Sequence, residues 1–271
     1  MNSSLVQREA IFAFDGIAEQ YDELFTRSTI GRAQRDVVWK ALLKTFHPGD
    51  HILELNCGTG EDALFLARHG IAVSGYDASE RMIEMARRRM HEVSLGAEVR
   101  FGTLPTEYLS ELCPRNLFDG IFSNFSGLNC VADLDRVCVD LASLVPVGAS
   151  FLVCLSTRFC MMETVWFLLH GSLRKAFRRY PGRTSAVVGQ FTVDVRYPLI
   201  TELKRSFDPY FKLRSCNGVG IFVPPSYAEP WIRRFPHLLN VLRSIDKVIS
   251  GLPFFRVIGD HMLLRFERVQ A

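Results

Sequence analysis

Residues 52–63 read Ile52-Leu-Glu-Leu-Asn-Cys-Gly-Thr-Gly-Glu-Asp-Ala63. This segment places a glycine-rich turn between a predicted strand and a predicted helix. Glycine adopts backbone angles that other residues avoid, and it lets a ligand come close to the main chain. The spacing Gly-x-Gly-x-x-Ala is therefore typical of the first strand, turn and helix of a nucleotide-binding α/β fold.

On both sides of this unit, short strand-like runs alternate with helical segments. The alternation predicts an α/β protein with a doubly wound, Rossmann-like and mostly parallel sheet. The predicted strands cover residues 51–56, 71–76, 97–101, 118–123 and 149–155. Helices are predicted from the glycine turn to residue 68, over 79–93 with Ser79 as the N-cap, and over 131–145. Two later apolar segments, 211–216 and 261–267, are expected to complete the sheet as edge strands.

We expect residues 1–271 to form a single domain. Residues 1–46 are predicted to be an N-terminal helical lid, 47–155 the cofactor-binding core, 156–197 an inserted helical cap, and 198–271 the completion of the sheet. One cap helix is predicted over 161–179, with apolar side chains on one face and basic side chains on the other. Such a helix can lie at a membrane interface or cover an apolar pocket.

Composition excludes several classes of protein. Apolar residues make up 48% of the 271 positions and charged residues 23%, which is the globular range. A net charge of +3 is too small for a protein that coats nucleic acid. The cysteines form no Cys-x-x-Cys pair and the histidines no helical pair four residues apart, so we expect no metal site. Charged residues interrupt residues 1–25, so we expect no signal peptide and a cytoplasmic protein.

Acidic residues narrow the choice of ligand. Asp77 ends the second predicted strand, where a carboxylate can accept hydrogen bonds from two ribose hydroxyls of a nicotinamide dinucleotide or of S-adenosylmethionine. Glu54, Glu61 and Asp62 lie around the helix start, where a dinucleotide would place its pyrophosphate. Three carboxylates would repel a pyrophosphate but attract the sulfonium and ammonium groups of S-adenosylmethionine. The charge pattern therefore favours S-adenosylmethionine.

At this point the sequence resembles the class I S-adenosylmethionine-dependent methyltransferases, of the set that includes the ubiquinone and menaquinone C-methyltransferases. The resemblance covers most of the chain and rests on four motifs. They are Phe14-Asp15-x-x-Ala18-x-x-Tyr21-Asp22, Glu54-Leu-Asn-Cys-Gly-Thr-Gly60, Tyr76-Asp77-Ala-Ser79-x-x-Met82 and Phe118-Asp119-Gly-Ile-Phe-Ser123-Asn124-Phe125. The resemblance implies a methyltransferase domain with S-adenosyl-L-methionine as its cofactor.

The resemblance also implies a set of cofactor-binding residues. Glu54 and the turn 58–60 would face the methionine end of the cofactor, and Asp77 would bind the ribose. Two further residues would lie beside the adenosine, namely Ala78 and Met82. The complete expected set is Tyr21, Glu54, Asn56, Cys57, Gly58, Thr59, Gly60, Asp77, Ala78, Met82, Thr103, Leu104, Ser123, Asn124 and Phe125.

We expect specific roles for several further residues. Asn56 replaces the usual first glycine of the turn, and asparagine can keep the left-handed conformation. Thr103 stands near the place where the family often has an acidic residue for the adenine amino group. Residues 123–126 follow the fourth strand at the ligand-binding edge of the sheet, where we place the transfer centre. Tyr21, in the lid, and His170, in the cap, are the candidate catalytic residues.

The predicted function is methyl transfer from S-adenosylmethionine to a small, lipophilic molecule. Because the sulfonium already activates the methyl group, the protein mainly supplies proximity, orientation and a dry site. The chain lacks the Asn/Asp-Pro-Pro-Tyr/Phe motif of enzymes that methylate nucleobases, so no nucleic-acid partner is expected. Peripheral membrane contact through the cap helix is a further hypothesis. The alternatives are an NAD(P)-dependent oxidoreductase and a protein that binds S-adenosylmethionine without catalysis.

Overall fold

The computed structural model describes residues 13–112, 117–188 and 191–269. Its strands are β1 His51–Leu55, β2 Ala72–Asp77, β3 Val99–Thr103, β4 Gly120–Ser123, β5 Ser150–Ser156, β6 Arg183–Val188, β7 Phe191–Arg196, β8 Phe211–Val219 and β9 His261–Arg268. Seven of them form one sheet in the order β3-β2-β1-β4-β5-β9-β8, while β6 and β7 form a separate hairpin. Strands β1 to β5 are parallel to one another, and β9 is antiparallel to both of its neighbours. These features confirm the expected Rossmann-like α/β fold.

Helices cover both faces of this sheet. They are α1 (residues 13–21), α2 Thr29–Thr45, α3 Glu61–Arg68, α4 Glu80–His91, α5 Leu134–Leu144, α6 Met161–Leu169, α7 Leu173–Ala176, α8 Ile200–Phe207, α9 Glu229–Arg234 and α10 Pro236–Ile249. A π-helical turn, Asp22–Thr26, follows α1 and leads to α2. As expected, Ser79 caps α4, because its hydroxyl accepts a hydrogen bond from the amide of Met82.

The hydrophobic core has two halves, one on each face of the sheet. Successive side chains of a strand point to opposite faces. Leu53 of β1 therefore packs in the same cluster as residues of α5 and α8. Its neighbour Ile52 packs in a cluster with residues of α2, α3 and α4. Because α2 contributes Val38 and Leu42 to this second cluster, residues 29–45 belong to the core and are not part of a lid.

The later strands differ from the prediction in one respect. The five parallel strands begin and end within two residues of their predicted positions. Strand β8 lies at the edge of the sheet as expected, but β9 lies inside the sheet, between β5 and β8. Its apolar side chains Met262, Leu263, Leu264 and Phe266 are all buried, which is typical of an interior strand.

The inserted segment after β5 is only partly helical. The prediction of one helix over 161–179 is wrong, because α6 ends at Leu169 and Gly171 follows in the left-handed region with a φ of 69°. After the short helix α7, the chain forms the β6–β7 hairpin, which pairs with no strand of the main sheet. We call residues 157–197 the cap.

The surface of the cap carries exposed apolar side chains, while most of its arginines are paired. Leu169 is 80% exposed and Leu173 66% exposed. Arg178 and Arg179 both contact the buried carboxylate of Glu163. The hairpin arginine Arg183 pairs with Asp194, so all three of these arginines have a carboxylate partner. Among the described residues, no helix combines the length and apolarity needed to cross a membrane.

Candidate functional site

A cavity of about 230 Å³ opens at the carboxyl ends of β1, β2 and β4, and we call it cavity A. In an open α/β sheet this edge is the usual place for a ligand, at the point where the strand order reverses. Its wall includes eight residues of the expected cofactor set: Tyr21, Asn56, Gly58, Asp77, Ala78, Met82, Asn124 and Phe125. The structure thus brings the glycine turn, the end of β2 and the end of β4 to one cavity.

The glycine turn has the backbone conformation expected from its sequence. Asn56 has a φ of 54°, so asparagine does keep the left-handed turn at the position of the missing glycine. Gly58 also has a positive φ, and a side chain added there would meet nothing nearer than Tyr21, at 3.9 Å. At Gly60 the added Cβ would lie only 2.6 Å from the Phe101 ring. Gly58 therefore borders open space, whereas Gly60 is required by packing.

Asp77 connects the turn to the helix that follows β2. Its Oδ2 accepts a hydrogen bond from the Gly58 amide and its Oδ1 from the Ser79 amide, each at 2.9 Å. Burial raises the pKa of the Asp77 carboxyl, and these backbone hydrogen bonds oppose the rise. A carboxylate has about four lone-pair positions, so this group can still accept two ribose hydroxyls.

The acidic helix start is not the negative surface that the sequence suggested. Arg89 forms an ion pair with Glu61. Arg35 lies 2.5 Å from Asp62, whose oxygens also accept hydrogen bonds from Trp39 and Asn124. The argument that these carboxylates repel a pyrophosphate is therefore wrong for Glu61 and Asp62, because arginines from other helices compensate their charges.

Glu54 is the exception among the three carboxylates. It is 1% exposed, and its Oε2 has no hydrogen-bond partner among the described residues. Burial, and next the nearby Asp62, hold the pKa of the Glu54 carboxyl well above its ordinary value. Glu54 is not among the residues that line cavity A.

Six other members of the expected set also lie outside the wall of cavity A: Cys57, Thr59, Gly60, Thr103, Leu104 and Ser123. The hydroxyl of Thr59 donates a 2.6 Å hydrogen bond to Asp22, and that of Ser123 bonds the side chain of Asn56. Leu104 packs against the core, and Thr103 is exposed to solvent. These residues shape or support the site without bordering the cavity.

Thr106 and Glu107 are among the wall residues that were not foreseen from the sequence. A 3-10 helix, Thr106–Glu111, follows β3 and brings Thr106 and Glu107 to cavity A. An acidic residue therefore does lie near the expected adenine position, a few positions later than Thr103. The only sign of this in the sequence was the presence of a carboxylate at Glu107. The direction of that side chain depends on the 3-10 helix that follows Pro105.

Two aspartates of the N-terminal segment form hydrogen bonds with residues in and near the glycine turn. Asp15 accepts a 2.5 Å hydrogen bond from the hydroxyl of Ser79, and Asp22 accepts the bond from Thr59. Arg89 also lies 3.3 Å from Asp22. These contacts hold α1 in place, so that Phe14 and Tyr21 border the cavity.

A strained turn follows β4. Phe125 has a φ of 39° and Ser126 a φ of 72°, conformations that are rare for residues other than glycine. The turn is held by hydrogen bonds from the Ser126 amide to the Cys154 carbonyl and between the Ser126 and Ser156 hydroxyls. Backbone strain of this kind persists where surrounding contacts over-determine it, and it occurs preferentially at functional sites.

A second cavity of about 320 Å³ lies on the other side of this turn, and we call it cavity B. Both cavities are lined by Phe14, Tyr21, Phe125, Ser126 and Val188, so they share a wall. The cap hairpin, the N-terminal helix and the start of β9 all contribute to cavity B. Sequence reasoning placed the transfer centre at residues 123–126, and this segment lies between the two cavities.

Cavity B contains buried charged groups that were not foreseen. Glu163 accepts hydrogen bonds from Arg178 and Arg179, and Arg179 also bonds Asp260 at 2.8 Å. Next to Asp260, His261 packs edge-on against Phe125, with 5.2 Å between the ring centroids. Arg179 and Asp260 are 81 positions apart in the chain, so no local motif could indicate that the cap and the start of β9 meet here.

The two candidate catalytic residues have different surroundings. Tyr21 borders both cavities, and burial raises the pKa of its hydroxyl. His170 lies at the end of α6, is exposed, and bonds the carbonyl of Trp166 in its own helix. Since His170 borders neither cavity, the structure gives it no route to a ligand there.

Comparison with known proteins identifies the domain. Residues 52–148 match the family described as "Methyltransferase domain". A demethylmenaquinone methyltransferase of Symbiobacterium thermophilum is 33% identical over 150 residues, which cover 52% of this chain and 56% of that protein. An S-adenosyl-L-methionine-dependent Diels-Alderase of Talaromyces variabilis, iccD, is 45% identical over 76 residues, or 28% of this chain and 26% of that protein. The chain thus spans about half the length of the first relative and about a quarter of the second.

A solved structure shares the fold over most of the chain. The crystal structure of a Listeria monocytogenes protein, described as an S-adenosylmethionine dependent methyltransferase, superposes with a TM-score of 0.62 at 17% identity. The superposition covers 88% of this chain and 98% of that one. The match over residues 52–148, together with the strand order and the shared fold, shows that this chain contains a methyltransferase domain with the fold of the class I S-adenosylmethionine-dependent methyltransferases.

Proposed function

We propose that this protein transfers a methyl group from S-adenosylmethionine to a small acceptor with an apolar body. The observation that carries the proposal is the shared wall of cavities A and B at Tyr21, Phe125 and Ser126. A direct displacement needs the donor and acceptor atoms within about 3–3.5 Å and in line. Two adjoining cavities on the ligand-binding edge of the sheet would allow a donor and an acceptor to lie side by side.

The residues of cavity A fit the cofactor. Asp77 keeps lone pairs for the ribose hydroxyls, and open space above Gly58 allows close approach to the main chain. Ala78 and Met82 would lie along the adenosine, with Glu107 near its amino group. When bound, S-adenosylmethionine supplies a methyl group activated by its sulfonium. The chain contributes binding, orientation and the exclusion of water.

The walls of cavity B support an apolar acceptor of small size. Phe14, Ile17, Phe25, Ile30 and Phe125 supply apolar surface. The charged side chains that line it pair with one another or with Asp62, so the cavity attracts neither a cation nor an anion by net charge. A relative named as a demethylmenaquinone methyltransferase is consistent with an acceptor of this type.

The exposed cap surface suggests how such an acceptor reaches the site. Leu169 and Leu173 present apolar surface to solvent, next to the exposed Arg174 and Lys175. Neither basic residue forms an ion pair within the described residues. We therefore propose peripheral contact of the cap with an anionic membrane surface on the cytoplasmic side, where a lipophilic acceptor would be concentrated.

Two alternatives predict different ligands or products. An NAD(P)-dependent oxidoreductase would require a nicotinamide dinucleotide in cavity A, and the pairing of Glu61 and Asp62 removes the charge argument against it. The match to a methyltransferase domain is the remaining argument for S-adenosylmethionine. The second alternative is a protein that binds this cofactor without transferring a methyl group. The similarity to a protein named as a Diels-Alderase supports this alternative.

Two measurements test the proposal. In a thermal-shift assay, a ligand at 100 times its Kd stabilises the folded protein by about 2.7 kcal/mol. We expect this stabilisation from S-adenosylhomocysteine and none from NADH or NADPH; the reverse result would contradict the choice of cofactor. The purified protein is then incubated with methyl-labelled S-adenosylmethionine and a lipid-soluble metabolite extract containing reduced quinones. Labelled product is expected with the wild type and not with an Asp77→Ala variant, whereas cofactor binding without any labelled product would favour the second alternative.

A further inference from the structure

The polar end of cavity B contains two groups that lack protein partners. The Tyr227 hydroxyl and the Nδ1 of His261 are fully buried, and neither has a hydrogen-bond partner among the described residues. Both residues line cavity B. Leaving a buried polar group unpaired is costly, so such groups are usually satisfied by a ligand or by water.

A carboxylate orients the histidine. The Nδ1 of His261 lies 3.6 Å from the Oδ2 of Asp260, slightly beyond hydrogen-bond distance. Asp260 is fixed by Arg179 and by a 3.3 Å hydrogen bond from Gln34. A carboxylate facing Nδ1 favours the tautomer with the proton on that nitrogen. Nε2 is then the nitrogen that can accept a proton, and burial lowers the pKa of the ring, which keeps it neutral.

His261 also lies beside the place where the two cavities meet. Its ring contacts Phe125, and Phe125 lines both cavities. The guanidinium of Arg35 also contacts Phe125, at 4.9 Å from the ring centroid. The histidine is thereby held next to the point that a transferred methyl group must pass if the proposed function is correct.

We propose that His261 is the general base that removes a proton from a hydroxyl group of an aromatic acceptor in cavity B, with Tyr227 bonding the same hydroxyl oxygen. The proposal rests on the proposed function. The hydroxyl proton passes to Nε2, and the deprotonated acceptor forms the new bond to the methyl group. The methyl–sulfur bond breaks with its electron pair left on sulfur, and the imidazolium later releases its proton to water.

The chemistry of the cavity indicates an aromatic hydroxyl compound. A hydroxyl group can donate to the Nε2 of a neutral imidazole and at the same time accept from the Tyr227 hydroxyl, which gives the unpaired Tyr227 hydroxyl a partner. The rings of Phe14, Phe25 and Phe125 provide a wall suited to a flat apolar body. A quaternary ammonium group would leave the imidazole unpaired, because it has no proton to give.

The test uses 4-nitrophenol as a chromogenic probe, because its phenolate absorbs visible light. The full-length protein is saturated with S-adenosylhomocysteine and titrated with the probe at a pH below the probe's own pKa. Because burial lowers the pKa of His261, we expect a partial transfer: at the same pH, the phenolate band of the bound probe should be larger with the wild type than with His261→Asn. 4-Nitroanisole, which has no hydroxyl proton, serves as the matched probe and should produce no band.

Variants separate the base from the other charged groups of the cavity. His261→Asn should bind the probe with a smaller phenolate band, and Tyr227→Phe should raise its Kd about tenfold. His237→Asn, at an exposed position outside both cavities, should behave as the wild type. The remaining groups that face His261 are Asp260, Arg179 and Glu163, and all three stay in place in these variants.

Each outcome decides the proposal. The proposal is overturned if the wild type fails to bind the probe, if it binds without the phenolate band, or if His261→Asn gives the same band. Circular dichroism and the affinity for S-adenosylhomocysteine identify a variant that has not folded, in which case His261→Gln is used instead. No methyl transfer is needed for this readout, so a failure of the proposed function would leave the proton-transfer result interpretable on its own.

Discussion

Replacing Asp77 by alanine tests the cofactor site most directly. In the structure the Asp77 carboxylate accepts amide hydrogen bonds from Gly58 and Ser79 and borders cavity A. The variant removes these two bonds and also the proposed bonds to two ribose hydroxyls. The effects on folding and on binding can therefore be worked out separately.

The effect on folding is expected to be the smaller of the two. Hydrogen bonds to a charged group contribute about 1.5–3 kcal/mol each. Because burial raises the pKa of Asp77, part of this contribution is offset by the cost of keeping the carboxylate ionised. We expect the free energy of unfolding to fall by only about 1–2 kcal/mol. Loss of two ribose bonds should weaken cofactor binding by about 3 kcal/mol, which is more than a hundredfold in Kd.

Calorimetric titration with S-adenosylhomocysteine measures the effect on cofactor binding. Chemical denaturation measures the effect on the free energy of unfolding. Asp119→Ala is the matched control, since Asp119 also accepts a backbone hydrogen bond, from His51 at 2.8 Å, but borders neither cavity. A folded Asp77→Ala variant with unchanged affinity would refute the assignment. So would an Asp119→Ala variant that lost affinity to the same extent.

The same carboxylate predicts a pH dependence. Only ionised Asp77 can accept both ribose hydroxyls, and burial raises its pKa above the ordinary value. The affinity of the wild type should therefore be constant near neutral pH and begin to fall, on acidification, at a higher pH than an ordinary aspartate would give. Asp77→Asn should show a smaller change of affinity over the same range, and an identical pH profile would contradict the reasoning.

Three further predictions concern packing, charge and the surface. Gly60→Ala should lower Tm, because the new methyl group would lie 2.6 Å from the Phe101 ring and the φ of 77° disfavours any side chain; an unchanged Tm would contradict the packing. Asp62→Asn should reduce the free energy of unfolding by about 3–5 kcal/mol, because it leaves the buried Arg35 without its charge partner. A loss of stability as small as that from breaking an exposed ion pair would contradict this account. In liposome flotation, a Leu169→Ser, Leu173→Ser double variant should bind anionic vesicles less than the wild type, and equal or absent binding of both proteins would leave no support for membrane contact.

The sequence alone determined the features that depend on near neighbours. The five parallel strands, the glycine turn, the left-handed Asn56 and the Ser79 cap all follow from preferences that act over a few residues. Such preferences hold in any surroundings, because they arise from backbone sterics and from hydrogen bonds within one turn. For the same reason, the fold class and the position of cavity A could be predicted before the structure was known.

Only the tertiary structure decided the charge balance of the site and the content of cavity B. Arg35 and Arg89 neutralise the acidic helix start from other helices, and β9 enters the interior of the sheet, which brings His261 beside Phe125. These contacts join residues far apart in the chain, and their energies depend on burial and on distance in space. A sequence pattern records neither quantity, so the partners of a charge and the groups that share a cavity emerge only when the chain is folded.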